Sequence, residues 1–80
     1  MVKIRTDDNK LINIESPQEL SSFIRKHRKS KKITQREVAI HADLSILVIS
    51  ELERGLSDIR FSSLLKILQV LDLKLALEEK

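Results

Sequence analysis

The chain has 80 residues, with 15 Lys and Arg against 12 Asp and Glu, one Gly, one Pro, two Phe and no Cys. That length holds one small domain with a marginal core. The absence of Cys excludes a disulfide framework and a thiolate metal site, a single Gly excludes a Gly-rich phosphate loop, and two Phe without Tyr or Trp argue against an aromatic base-stacking platform. The net charge of +3 hides an asymmetry. Arg25, Lys26, Arg28, Lys29, Lys31, Lys32 and Arg36 put seven of the 15 basic residues into twelve positions that hold no acid. Such a segment is either a solvated helix face or a phosphate-facing surface.

In chain order, Val2 and Ile4 alternate with Lys3 and Arg5, and Ile12 and Ile14 alternate with Asn13 and Glu15. With the polar cluster Asp7-Asp8-Asn9-Lys10 between them, residues 1–15 read as a β-hairpin arm, or as an arm that orders only on docking. Ser16-Pro17-Gln18-Glu19 is a helix start, with a capping Ser, Pro at the first helical position and Glu where a capping box needs it. Leu20, Phe23, Ile24 and His27 then make one inward stripe, and the helix is expected to end near Lys31 or Lys32.

Thr34-Gln35-Arg36-Glu37 is a second capping box, opening a short helix with Val38, Ala39 and Ala42 on its inner side. Asp43 suits a left-handed turn and Ser45 a third cap. From Ile46 to Arg54 a helix would turn Ile49 and Leu52 inward and stop at Gly55. Leu44 to Ile49 is rich enough in β-branched residues to be a strand, but the cap and the Gly bracket a helix. Leu56 to Arg60 reads as a loop. Phe61, Leu64, Leu65, Ile67, Leu68 and Leu71 predict a helix apolar over most of its circumference, hence the central buried helix, closed by Asp72. Leu73, Leu75 and Leu77 then alternate with Lys74, Ala76 and Glu78 as a strand.

Met1 to Asn9 has no apolar stretch of the secretory kind, and the longest apolar run, Ile46 to Ile49, is far short of a membrane span. A soluble, cytoplasmic protein is expected. Two unrelated His without Cys make no metal site, and no nucleophile–base pair is present. Hence no catalytic residue, cofactor or metal is expected. His27 is read as half-buried core and His41 as surface.

The order Ile24-Arg25-x-x-Arg28, Ile33-Thr34-Gln35-x-Glu37-Val38-Ala39, Leu44-Ser45-x-x-x-Ile49-Ser50-x-Leu52-Glu53-Arg54-Gly55 and Leu64-Leu65-Lys66-Ile67 resembles the Cro/C1-type (phage-repressor, XRE) helix-turn-helix family. The likeness spans about residues 17–71. It implies a mainly all-α, lambda-repressor-like domain of four to five helices with short flanking β-strands. The divisions would be a hairpin arm at 1–15, a DNA-binding domain at 16–71 and a dimerisation strand at 72–80. The Ser16-Pro17 start and the Leu-Lys-Leu-Ala-Leu tail resemble the HipB-like antitoxins of toxin–antitoxin systems. That resemblance implies a homodimeric repressor that binds double-stranded operator DNA through the major groove and holds a kinase-like HipA-type toxin.

By the same resemblance, base reading falls to Ile46, Leu47, Ser50 and Glu51. Ile46 and Leu47 offer only apolar contact, as to a thymine methyl, and Glu51 only accepts, as from cytosine N4. Three readings stay open: a narrow T- and C-reading site, weak base readout, or an apolar tip that binds protein. Phosphate candidates are Lys31, Lys32, Thr34, Gln35, Arg36, Ser45 and Arg60. Lys32 stands where the family usually has Gly, which implies either a strained backbone or a different helix end. Arg28 and Glu53 match a family pair that forms an internal salt bridge. Leu73, Leu75 and Leu77 would bury against a twofold copy, or the strand would pair within its own protomer against residues 2–6, or both.

Overall fold

The computed structural model describes residues 2–55 and 58–77. It has β1 (Val2–Arg5), β2 (Leu11–Ile14), α1 (Pro17–Ser30), α2 (Gln35–Ala42), α3 (Ile46–Glu53), α4 (Phe61–Val70) and β3 (Lys74–Leu77). The strands form one antiparallel sheet in the order β2-β1-β3. Val2, Ile4, Ile12, Ile14, Leu75 and Leu77 share one sheet face by register. That face sits on the helices, with Ile4 fully buried at its centre.

Local chemistry explains the helix ends. Ser16 accepts from the Glu19 N–H at 3.1 Å. The return arm differs from a full capping box: the Glu19 carboxylate accepts from Glu15 N–H at 2.9 Å. At α2 the box is complete, since Thr34 accepts from Glu37 N–H and Glu37 from Thr34 N–H. Those two Thr34 hydrogen bonds, the backbone one first, hold the Glu37 carboxyl below its ordinary 4.5. The α2–α3 turn is made by Asp43 in the left-handed region (φ 56°), and Ser45 caps α3. The β-branched run from Ile46 is therefore helix, because the cap and Gly55 at φ 82° bracket it.

The core runs through Ile4, Ile24, Val38, Ile49, Ile67, Leu68 and Leu71, all essentially without solvent contact. Each contributes about 1.5–3 kcal/mol relative to exposure. Ala39 is buried, and its small side chain lets α2 sit close to its neighbours. On α1, Ile24 is buried while Leu20, Phe23 and His27 are half-buried. His27 stacks on Phe23, and its Nε2 donates to the Leu71 carbonyl at 3.2 Å.

Two expectations need correction. First, α4 is not a buried central helix: its apolar Phe61 and Leu65 lie outward and exposed, while Leu64, Ile67 and Leu68 lie inward. Second, Leu73 belongs to the protomer's own core at 3% exposure, because the left-handed Asp72 turns the chain and Leu73 N–H returns to the Leu68 carbonyl. Of the alternatives for the tail strand, pairing within the protomer is present: β3 pairs with β1 of the same chain, Val2 opposite Leu77 and Arg5 opposite Lys74. The part of the expected strand and tail beyond Leu77, and positions 56 and 57 of the expected loop, lie outside the described residues.

Lys32 has φ 58°, a conformation an L side chain resists. Lys32→Gly should therefore stabilise the fold by about 1 kcal/mol, read as a higher urea midpoint with unchanged slope. An unchanged or lower midpoint would show that the strain is offset elsewhere.

Candidate nucleic-acid interface

Two short helices meet across the Asp43 turn, and their N-termini are the capped ends at Thr34 and Ser45. α3 is anchored from behind by Ile49 and Leu52, which are buried, so its other side faces outward. On that outer side Ile46 and Leu47 are 50% and 59% exposed, Glu51 is exposed and Ser50 is half-buried. Neither residue of this apolar pair is among those that form the hydrophobic core or pack against it. Ile40 on α2, at 68% exposure, is a further outward apolar residue that the inward-facing pattern gave no reason to single out.

Behind this surface lies a buried ion pair. Arg28 Nε donates to Glu53 Oε2 at 2.6 Å and Arg28 Nη2 to Glu53 Oε1 at 2.9 Å. Arg28 Nη1 donates to the Ile33 carbonyl at 2.7 Å. The side chains are only 10% and 2% exposed, so Arg28 is a fork joining α1 to the end of α3 and to the chain entering α2. It adds nothing to the outward positive charge. Gln35 joins the same group, its Nε2 donating to Glu53 Oε1 at 3.2 Å.

The phosphate candidates divide. Arg36, Lys32, Thr34, Ser45 and Arg60 are exposed, and Gln35 is half-buried. Thr34 and Ser45 use their hydroxyl oxygens as caps, which leaves each hydroxyl proton to donate. Lys31 is the exception and a correction. Its Nζ is 3.0 Å from Asp7 Oδ2 and 3.3 Å from Asp72 Oδ2, so two carboxylates already take up its charge. The Asp7 hydrogen bond, with Asp72 behind it, raises the Lys31 ammonium above its ordinary 10.5, and the same bond lowers Asp7 below 3.8. Lys31 thus ties the hairpin turn and the α4–β3 turn to the end of α1.

Among the described residues no group of His, Asp or Glu could hold a metal ion, and no helix is long and apolar enough to cross a membrane. The arrangement instead offers two capped helix N-termini, a free guanidinium and ammonium beside them, and a protruding α3 start. Those are the parts that grip a duplex backbone and enter a major groove.

Comparison with known proteins gives the same answer. A helix-turn-helix family model matches residues 24–77. A sequence search of curated proteins found no significant match. Among solved structures, a chain described as "MDT Protein" superposes with a TM-score of 0.79 at 28% identity, covering 85% of this chain and 96% of that one. A chain in "Structure of HipA-HipB-O2-O3 complex" matches with the same score, identity and coverage. The helical body, the turn geometry and these matches agree: the chain belongs to the Cro/C1-type (XRE) helix-turn-helix family of DNA-binding domains and is similar to the HipB-like antitoxins.

Proposed function

We propose that this chain is a homodimeric transcriptional repressor, the antitoxin of a HipA/HipB-like pair, which occupies operator DNA and also holds a kinase-like toxin. The observation that carries this reading is the 28% likeness over nearly the whole of a chain in a HipA–HipB complex. The exposed α3 start and the cations beside the α2 cap support the DNA half of it. Repression would be steric and cytoplasmic, with the operator occupied and polymerase excluded. Arg36, Lys32, Thr34, Gln35, Ser45 and Arg60 would hold phosphates, while Ile46, Leu47, Ser50 and Glu51 would read thymine methyls and cytosine amines. Residues 16–71 would be the DNA-binding unit, 1–15 an arm, and 72–80 the dimerisation tail.

Among the described residues β3 is an edge strand. Antiparallel pairing with its twofold copy would join two three-stranded sheets into one and cover the β3 edge of each protomer. Leu77, 75% exposed, is the tail leucine left for that contact. Two half-sites would then be held at once.

A second reading, a protein-interaction module with little base readout, draws on Ile46 and Leu47, which are apolar where purine readers are usual. A salt titration separates them. A repressor should bind a duplex enriched from a random pool, with log affinity falling about 0.9 per phosphate contact on log salt. Arg36→Ala should weaken all duplexes alike, whereas Leu47→Ala should change their ranking. Absence of binding at about 100 mM salt, or a Leu47→Ala protein that loses only a protein partner, would favour the interaction module.

A further inference from the structure

The Glu53 carboxylate serves two neighbours at once. Both its oxygens face the Arg28 fork, and Oε1 also receives Gln35 Nε2 at 3.2 Å. Because a carboxylate at neutral pH only accepts, the Gln35 carboxamide must present nitrogen, not oxygen, to Glu53. One of its two N–H bonds is thereby committed inward. The second N–H and the carbonyl oxygen are left for other partners, at the first residue of α2 and beside the exposed Arg36. A Gln on this surface without such a partner would sample many rotamers and present oxygen or nitrogen equally. Glu53 itself is held by Arg28, which is fixed in turn by the Ile33 carbonyl.

We infer that Glu53 is a positioning residue for DNA binding: it orients the Gln35 carboxamide so that its second N–H donates to a backbone phosphate. The buried ion pair is then connected to the phosphate surface through one side chain, and α1 and α3 set the aim of a donor on α2. This rests on the DNA-binding reading above. Glu53 touches no DNA. Its contribution is to fix in advance a donor that would otherwise lose rotamer freedom on binding.

A double-mutant cycle tests it, using a duplex enriched from a random pool. Gln35→Ala should weaken binding roughly tenfold across duplexes, as for loss of a hydrogen bond to a charged group. In the double variant Arg28→Met/Glu53→Leu, which keeps the volume of the pair without its charges, the same Gln35→Ala change should cost less than about twofold, since Gln35 is no longer held. Equal losses in both backgrounds would overturn the inference and leave DNA binding intact as a conclusion. No salt-sensitive binding by the native chain would overturn both. The native chain also allows a direct reading that needs no variant. The Gln35 side-chain amide should be rigid by nitrogen relaxation, near the backbone order parameter of about 0.85, and should shift on duplex addition. An order parameter below about 0.6, or a signal unmoved by DNA, would likewise overturn it.

Discussion

Glu53→Ala should lower the unfolding free energy by about 3–5 kcal/mol, because it leaves the Arg28 guanidinium buried without a counter-charge. A chain of 80 residues has about 4–12 kcal/mol in total at the usual stability per residue. The variant should therefore be largely unfolded at moderate temperature. The magnitude follows from burial. At 10% and 2% side-chain exposure, water cannot replace the lost oxygens without opening the contact between α1 and α3. Removing both charges together, in Arg28→Met/Glu53→Leu, should cost little or even stabilise, since neither ion then needs desolvating. Urea denaturation followed by circular dichroism measures both. A loss below about 1 kcal/mol for Glu53→Ala would place the pair in the class of exposed ion pairs.

Leu77→Lys should give monomers on a sizing column and weaken binding to a two-half-site duplex by about 100-fold or more, because the second half-site contact is no longer intramolecular. The protomer's own melting should hardly change, as Leu77 is 75% exposed and has little packing to lose. Leu75 is a poorer choice for this test. It stands opposite Ile4 on the core-facing side of the sheet, so a charge there would damage the protomer itself. An unchanged dimer in Leu77→Lys would refute pairing through β3.

How much of this was legible beforehand depended on sequence distance. The caps at Ser16, Thr34 and Ser45, the turn at Asp43 and the stop at Gly55 are local chemistry, readable within four residues. The inward placing of Val38, Ile49, Leu52 and Ile67 follows from helical period alone. The misreadings are long-range. Lys31 looks like one more cation of a basic run, and only the fold brings it to Asp7 and Asp72, 24 and 41 residues away. Leu73 has the same alternation as Leu77, but the Asp72 turn gives it to the core. Phe61 and Leu65 add to an apolar count without revealing that α4 has an open side. At the candidate site, the outward residues of α3 were visible from spacing. The link from Gln35 to Glu53 was not, since it joins residues on different helices through a side-chain hydrogen bond.

The strand order β2-β1-β3 sets a schedule for folding. The partners in the β1–β3 ladder are 69 to 75 residues apart along the chain, whereas α2 and α3 are neighbours. Closing so long a loop is entropically costly until the helices between have brought its ends together. The central strand of the sheet therefore gains its second neighbour last. Until then β3 has two unpaired sides, and a half-folded chain is the form most prone to wrong pairings. By occupying one side of β3, β1 of the hairpin arm leaves that strand one open side in the finished molecule, enough for one partner strand, while the outer side of β2 is the sheet's other edge among the described residues.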